Sequence, residues 1–178
     1  TPEEVRAIFK RSRIIGRRFR IVHVMVGPET IEVTTYRGGD EVMQNEQGRI
    51  MRDNTVGSQA EDALRRDFTC NALYYDAMAN QVIDYHNGVA DIKARRLVMI
   101  GEPTQRFRED PVRVLRALRL SSKLGFELDK AIADVMSACS PWLSAEPPAR
   151  LVDELIKLLL SGHALACLHN IRRMGVDA

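Results

Sequence analysis

Between positions 62 and 74 the chain reads D-A-L-R-R-D-F-T-C-N-A-L-Y, with Arg65 and Arg66 directly ahead of Asp67 and apolar residues directly after. Guanidinium forks match phosphate oxygens, and a carboxylate accepts from ribose hydroxyls or a base edge. Such a cluster therefore has the chemistry of a nucleotide reader. The theme returns further on as R-E-D-P-V-R-V-L-R, which carries Glu109, Asp110, Arg113 and Arg116. If this run is helical, Asp110 and Arg113 share one face. A carboxylate beside a guanidinium pairs an acceptor with a donor, which suits the Watson–Crick edge of adenine and suits cytosine as well. Arg116 extends the basic character toward phosphate or solvent. Plainer explanations compete. Acids at a helix start complement its dipole, and a charge run is commonly a solvated, salt-bridged face. Phe68, Leu73 and Tyr74 imply burial right beside the charges, which weighs against the second.

Two further groups are candidates. Glu32 lies in I-E-V-T-T-Y-R. On a strand, Glu32, Thr34 and Tyr36 share a face. A lone strand Glu is usually just the solvated side, but beside other acids it is what a two-metal phosphoryl or nucleotidyl transfer site uses. Magnesium takes such hard oxygen ligands. The run G-R-R-F-R places Arg17, Arg18 and Arg20 beside a strand. Arg17 and Arg18 become RNA or phosphate contacts if such a site adjoins them.

The elements that must position these residues can be read from spacing. Thr1-Pro2-Glu3-Glu4 is a helix start, predicting a helix over 2–10. Alternation predicts a strand pair from 13 to 26 and from 30 to 36 with a turn at Gly27-Pro28-Glu29. The stretch 37–58 reads as a long loop, and 60–75 reads as helical around the first Arg/Asp cluster. A strand at 82–85, a turn at His86-Asn87-Gly88, a helical turn over 89–94 and a strand at 97–100 follow. Beyond Gly101 all spacing is helical, with helices at 104–109, 111–124, 128–138, 147–160 and 162–173. The expectation is an α+β fold divided near 101: a mixed part over 1–101, then an all-α part over 102–178.

Bulk properties agree with a soluble domain. The chain has 178 residues, 45% hydrophobic and 28% charged, with a net charge of +2. That charge excludes a polycation, so nucleic-acid contact must come from local clusters. The three cysteines show no metal spacing and read as thiols in a reducing compartment. With no signal peptide or membrane-length apolar run, the cytoplasm is the expected address.

Together these elements resemble the bacterial poly(A) polymerases and the related class II tRNA nucleotidyltransferases, the CCA-adding enzymes. Four motifs carry the likeness in order: I-E-V-T-T-Y-R, R-R-D-F-T-C-N-A-L, D-Y-H-N-G-V-A-D-I and R-E-D-P-V-R-V-L-R. I-I-G-R-R-F-R-I-V-H-V and P-P-A-R-L-V-D-E-L-I-K-L-L tilt it toward the poly(A) polymerase branch. The resemblance implies a polymerase-β-like nucleotidyltransferase head followed by an all-α neck. It implies template-independent transfer of AMP from ATP to an RNA 3′ end. It makes Glu32 a catalytic metal ligand for one of two Mg²⁺ ions. Arg65, Arg66 and Asp67 would hold ribose and phosphate, with Asp110 and Arg113 facing the base. Asp84, Gly88 and Asp91 would link head to neck. The family's Gly-Gly/Ser and Asp-x-Asp motifs are expected ahead of Thr1 in a longer protein, so this stretch alone is expected not to catalyse. CCA addition, and a non-catalytic RNA-binding relative, are the alternatives.

Overall fold

The structure, a computed structural model, describes residues 1–16, 20–38, 43–44, 50–52 and 56–176. It forms two compact units, one of 1–43 and 51–62, the other of 44–50 and 63–178. Residue 101 falls inside the second.

The first unit opens with α1 (Pro2–Ile8), capped by Thr1, whose hydroxyl accepts from the Glu4 amide at 3.3 Å. Three antiparallel strands follow in sequence order: β1 (Ser12–Ile15), β2 (Ile21–Val26) and β3 (Glu29–Val33). The β2–β3 turn has Gly27 at φ +60, the left-handed backbone that a two-residue hairpin connection needs and glycine adopts without strain. On β2, Val22 and Val24 are buried, and His23 on the opposite face pairs with Glu32 of β3. The expected run of strand to position 36 stops at Val33, so Thr34 and Tyr36 do not continue the Glu32 face. Within the expected loop lie two short strands, β4 (Met43–Gln44) and β5 (Ile50–Arg52).

Next comes α2 (Gln59–Arg65). The helix expected over 60–75 is corrected: it ends at Arg65, and after a 3₁₀ turn at Thr69–Asn71 the chain becomes strand β6 (Leu73–Asp76). Tertiary pairing overrides local propensity here. The Thr69 amide donates to the Val98 carbonyl at 3.0 Å and the Ile100 amide to the Asp67 carbonyl at 3.0 Å. Strand β7 (Gln81–Asp84) pairs antiparallel with β6. The Asp84 carboxylate then accepts the amides of His86, Gly88 and Val89, holding the left-handed Asn87 (φ 60) that opens α3 (Gly88–Lys93).

Strand β8 (Arg96–Leu97) precedes α4 (Pro103–Glu109) and α5 (Arg113–Leu124). It pairs in parallel with β9 (Glu127–Leu128), a strand that helical spacing concealed. Gly125 at φ +64 ends α5. The remaining helices, α6 (Lys130–Cys139), α7 (Pro148–Leu159) and α8 (Ala164–Arg173), fall where the periodicity predicts them. The core of this unit joins Phe68, Leu97 and Met99 to Phe107, Val114, Leu118, Ile132 and Met136. Phe68 is wholly buried, which fixes the backbone next to Asp67. On the far side of α5, Arg119 donates to the buried Glu154 of α7 at 2.5 Å. Among the described residues no helix is long and apolar enough to cross a membrane.

Candidate functional site

The two Arg/Asp clusters, well apart in sequence, meet in the second unit. Asp67 is buried just beyond the end of α2. Its Oδ1 accepts from the Phe68 amide at 2.8 Å and the Asn71 side chain at 3.1 Å, and its Oδ2 accepts from Arg116 of α5 at 3.0 Å. Burial opposes ionisation, but the hydrogen bonds from Asn71 and Arg116, the Arg116 charge and the Phe68 amide outweigh it. The carboxyl is held below its usual range. A carboxylate offers about four acceptor positions, so one remains for a ligand hydroxyl. Arg65 is half-buried and Arg66 exposed. The Arg66 guanidinium lies 5.8 Å from the centroid of Tyr74.

The second cluster differs from expectation in one respect. Asp110 and Arg113 are not on one helix face. Proline at 111 disfavours helical backbone in the residue before it. Asp110 accordingly caps α4 in extended conformation (φ −149, ψ 90), and Arg113 opens α5. The Asp110 carboxylate accepts from Arg150 of α7 at 2.9 Å, and Arg150 also donates to buried Glu146 at 2.6 Å. Arg113 is itself buried. Its Nη1 donates to the Arg106 carbonyl at 2.8 Å and to Glu109 at 3.2 Å. Burial and the Arg106 charge lower its pKa, while Asp110 and Glu109 raise it. Glu109 sits at the end of α4 rather than at a helix start. The dipole disfavours an acid there, and Arg106 and Arg113 supply the compensating charge.

Arg106, Glu146 and Arg150 were not singled out from sequence. Arg106 reaches back across the unit: its Nη2 donates to the carbonyls of Arg65 at 2.9 Å and Arg66 at 2.7 Å, and its Nη1 to Glu109 at 2.6 Å. The R-F-R-E-D run held a signal only in hindsight, since nothing local says which arginine turns inward.

Glu32 belongs to the first unit, exposed on β3, with His23 Nε2 3.2 Å from its Oε1. Arg17 and Arg18 lie outside the described residues. Among the described residues no group of three or more His, Cys, Asp or Glu side chains is placed to hold a metal ion. Cys139 and Cys167 are buried and Cys70 partly so, all three free.

Comparison with known proteins bears on this arrangement. A family model described as the poly A polymerase head domain matches residues 1–98, and one described as the probable RNA and SrmB-binding site of polymerase A matches 125–176. Poly(A) polymerase I of Haemophilus influenzae is 42% identical over 98% of this chain and 40% of its own length. Poly(A) polymerase I of Escherichia coli O6:H1 is 46% identical over 92% of this chain and 37% of its own. The chain thus spans about 40% of the length of these curated relatives. Among solved structures, the Bacillus stearothermophilus CCA-adding enzyme in complex with CTP superimposes with a TM-score of 0.84 at 32% identity, covering 98% of this chain and 41% of that one.

Proposed function

Because this chain belongs to the poly A polymerase head-domain family, whose members are nucleotidyltransferases, we propose that the whole protein adds AMP from ATP to RNA 3′ ends without a template. One observation carries the reading. Arg106 and Arg116 bring Arg65, Arg66 and Asp67 into direct contact with the segment bearing Asp110 and Arg113. That contact supports a single site for groups suited to phosphate, ribose and base.

The roles follow from what each atom has left to offer. Arg65 and Arg66 neutralise the triphosphate. The remaining acceptor position of Asp67 takes a ribose hydroxyl, and Arg116 holds that carboxylate ionised and aimed. Asp110 accepts from the adenine amino group with the oxygen that Arg150 leaves available, and Arg113 donates to the ring nitrogen from the part of its fork not tied to Glu109. A nucleotide with the wrong edge leaves these groups unpaired, which is how such a site discriminates. The primer 3′ oxygen attacks the α-phosphorus and pyrophosphate departs, so rate depends on positioning and charge neutralisation.

Magnesium is the ion such chemistry uses. Glu32 is a hard oxygen ligand on an exposed strand, but the described residues alone do not fit a two-ion site. We assign Glu32 to that site in the whole protein, and Arg17 and Arg18 to primer phosphates. RNA as partner is supported by the RNA-binding family match over 125–176, and the reading places the protein in the cytoplasm.

CCA addition is the second reading, favoured by the likeness to the CTP-bound enzyme at 32% identity, against 42% and 46% for the poly(A) polymerases. Supplying the full-length protein with oligo(A) or with tRNA lacking its terminal CCA separates them. Long tails on oligo(A) with ATP alone are expected. Repair of the tRNA, which needs CTP as well as ATP, with no elongation of oligo(A), would instead establish the second reading.

A further inference from the structure

We propose that Arg106 is a positioning residue that sets the spacing between the phosphate–ribose half of the nucleotide site and its base half, and so sets how strictly adenine is selected. This rests on the nucleotide-site reading above.

The carbonyls of Arg65 and Arg66 lie where α2 ends, where helix carbonyls have no acceptor role within the helix ladder. One guanidinium nitrogen of Arg106 takes both, at 2.9 and 2.7 Å. The other grips Glu109 at 2.6 Å, one residue before Asp110. The main-chain carbonyl of Arg106 accepts from Arg113 at 2.8 Å. A single residue thus touches the segment carrying the phosphate arginines, the residue beside the base-facing carboxylate, and the base-facing arginine. The Arg106 side chain is only 12% exposed and Glu109 9%, so their ion pair is largely shielded from solvent. Its stem lies against Gly101, where a Cβ would come within 3.3 Å of Arg106 Cδ and where φ is +88.

Stability alone does not explain this choice. Arg106 Nε is buried with no hydrogen-bond partner, a cost that the fork geometry carries with it. A plain cap for α2 needs one donor. Holding two successive carbonyls and a carboxylate at once suits the guanidinium fork, and lysine, a point charge on a flexible stem, cannot reproduce it.

The test uses the full-length protein with Arg106→Lys and Arg106→Gln, measuring oligo(A) extension by ATP and by GTP alongside thermal unfolding. In Arg106→Lys the KM for ATP is expected to rise about 10-fold and the preference for ATP over GTP to fall about 10-fold, with kcat changing less. Arg106→Gln should shift both further. A merely structural cap predicts a lower melting temperature with KM and nucleotide preference unchanged, and that result overturns the proposal. If both variants fail to fold, Glu109→Gln decides: it leaves the carbonyl contacts in place and weakens the hold of the Arg106 guanidinium on the residue before Asp110, so preference must fall there too, and unchanged preference refutes the idea. Wild-type protein that extends RNA with no ATP preference would overturn the underlying reading, and this inference with it.

Discussion

Replacing Asp67 by alanine is expected to destabilise the protein by about 3 kcal/mol, the low end for breaking a buried ion pair by removing one partner. The low end applies because the Arg116 side chain is 33% exposed and regains some solvation, whereas Asp67 is 10% exposed. The substitution also strips acceptors from the Phe68 amide and the Asn71 side chain. Asp67→Asn keeps the shape and loses the charge, so it should fall between wild type and alanine. Urea denaturation measures both. The same interaction predicts a pH dependence. The folded carboxyl of Asp67 titrates below its unfolded value, so its stabilisation is complete above the ordinary carboxylate range and is lost as pH falls through the lowered folded value. Wild type should therefore lose this advantage below about pH 4, while Asp67→Ala has none to lose. The two stability curves should converge in acid. Curves that stay parallel would mean that Asp67 is not held by this pair.

Gly88→Ala is the second large effect, and it acts through backbone packing. A Cβ at Gly88 would sit 2.2 Å from the Thr69 carbonyl oxygen and 2.8 Å from its carbon. Backbone cannot yield as a flexible side-chain end can, so α3 must move off the Thr69 turn. The movement pulls on the 2.9 Å hydrogen bond from Thr69 to buried Asp91 and on the amide that Gly88 donates to Asp84. The expected loss exceeds about 3 kcal/mol, the upper range for overpacking. Thr69 is two residues from Asp67, so nucleotide binding should weaken as well. A Gly88→Ala protein within about 1 kcal/mol of wild type would show that this approach is not tight in solution.

What the sequence made legible was what depends on local pattern. The helices after 103, the Gly27-Pro28 hairpin and the capped start at Thr1 all follow from periodicity and turn chemistry. So did the residue types of both clusters. What stayed hidden depends on partners far along the chain. The run from 66 to 72 has helix-compatible residues, yet its backbone pairs with 98–100. The β8–β9 ladder is two residues long on each side, too short to leave an alternation. The charge spacing fits Asp110 and Arg113 on one helix, although Pro111 argues for the break that occurs. Arg106 and Arg150 resemble any surface arginine until the carbonyls and carboxylates that they serve are seen.

The central claim is that Asp110 and Arg113, brought beside the 65–67 cluster, read the base. A four-nucleotide competition on an RNA primer with full-length Asp110→Ala tests it most directly. Asp110 is only half-buried, so the fold should tolerate the change. The account predicts that incorporation of GTP and UTP rises relative to ATP by about 10-fold or more, the penalty for unpaired edge groups having been removed. Selectivity for ATP identical to wild type, with extension otherwise intact, would contradict it.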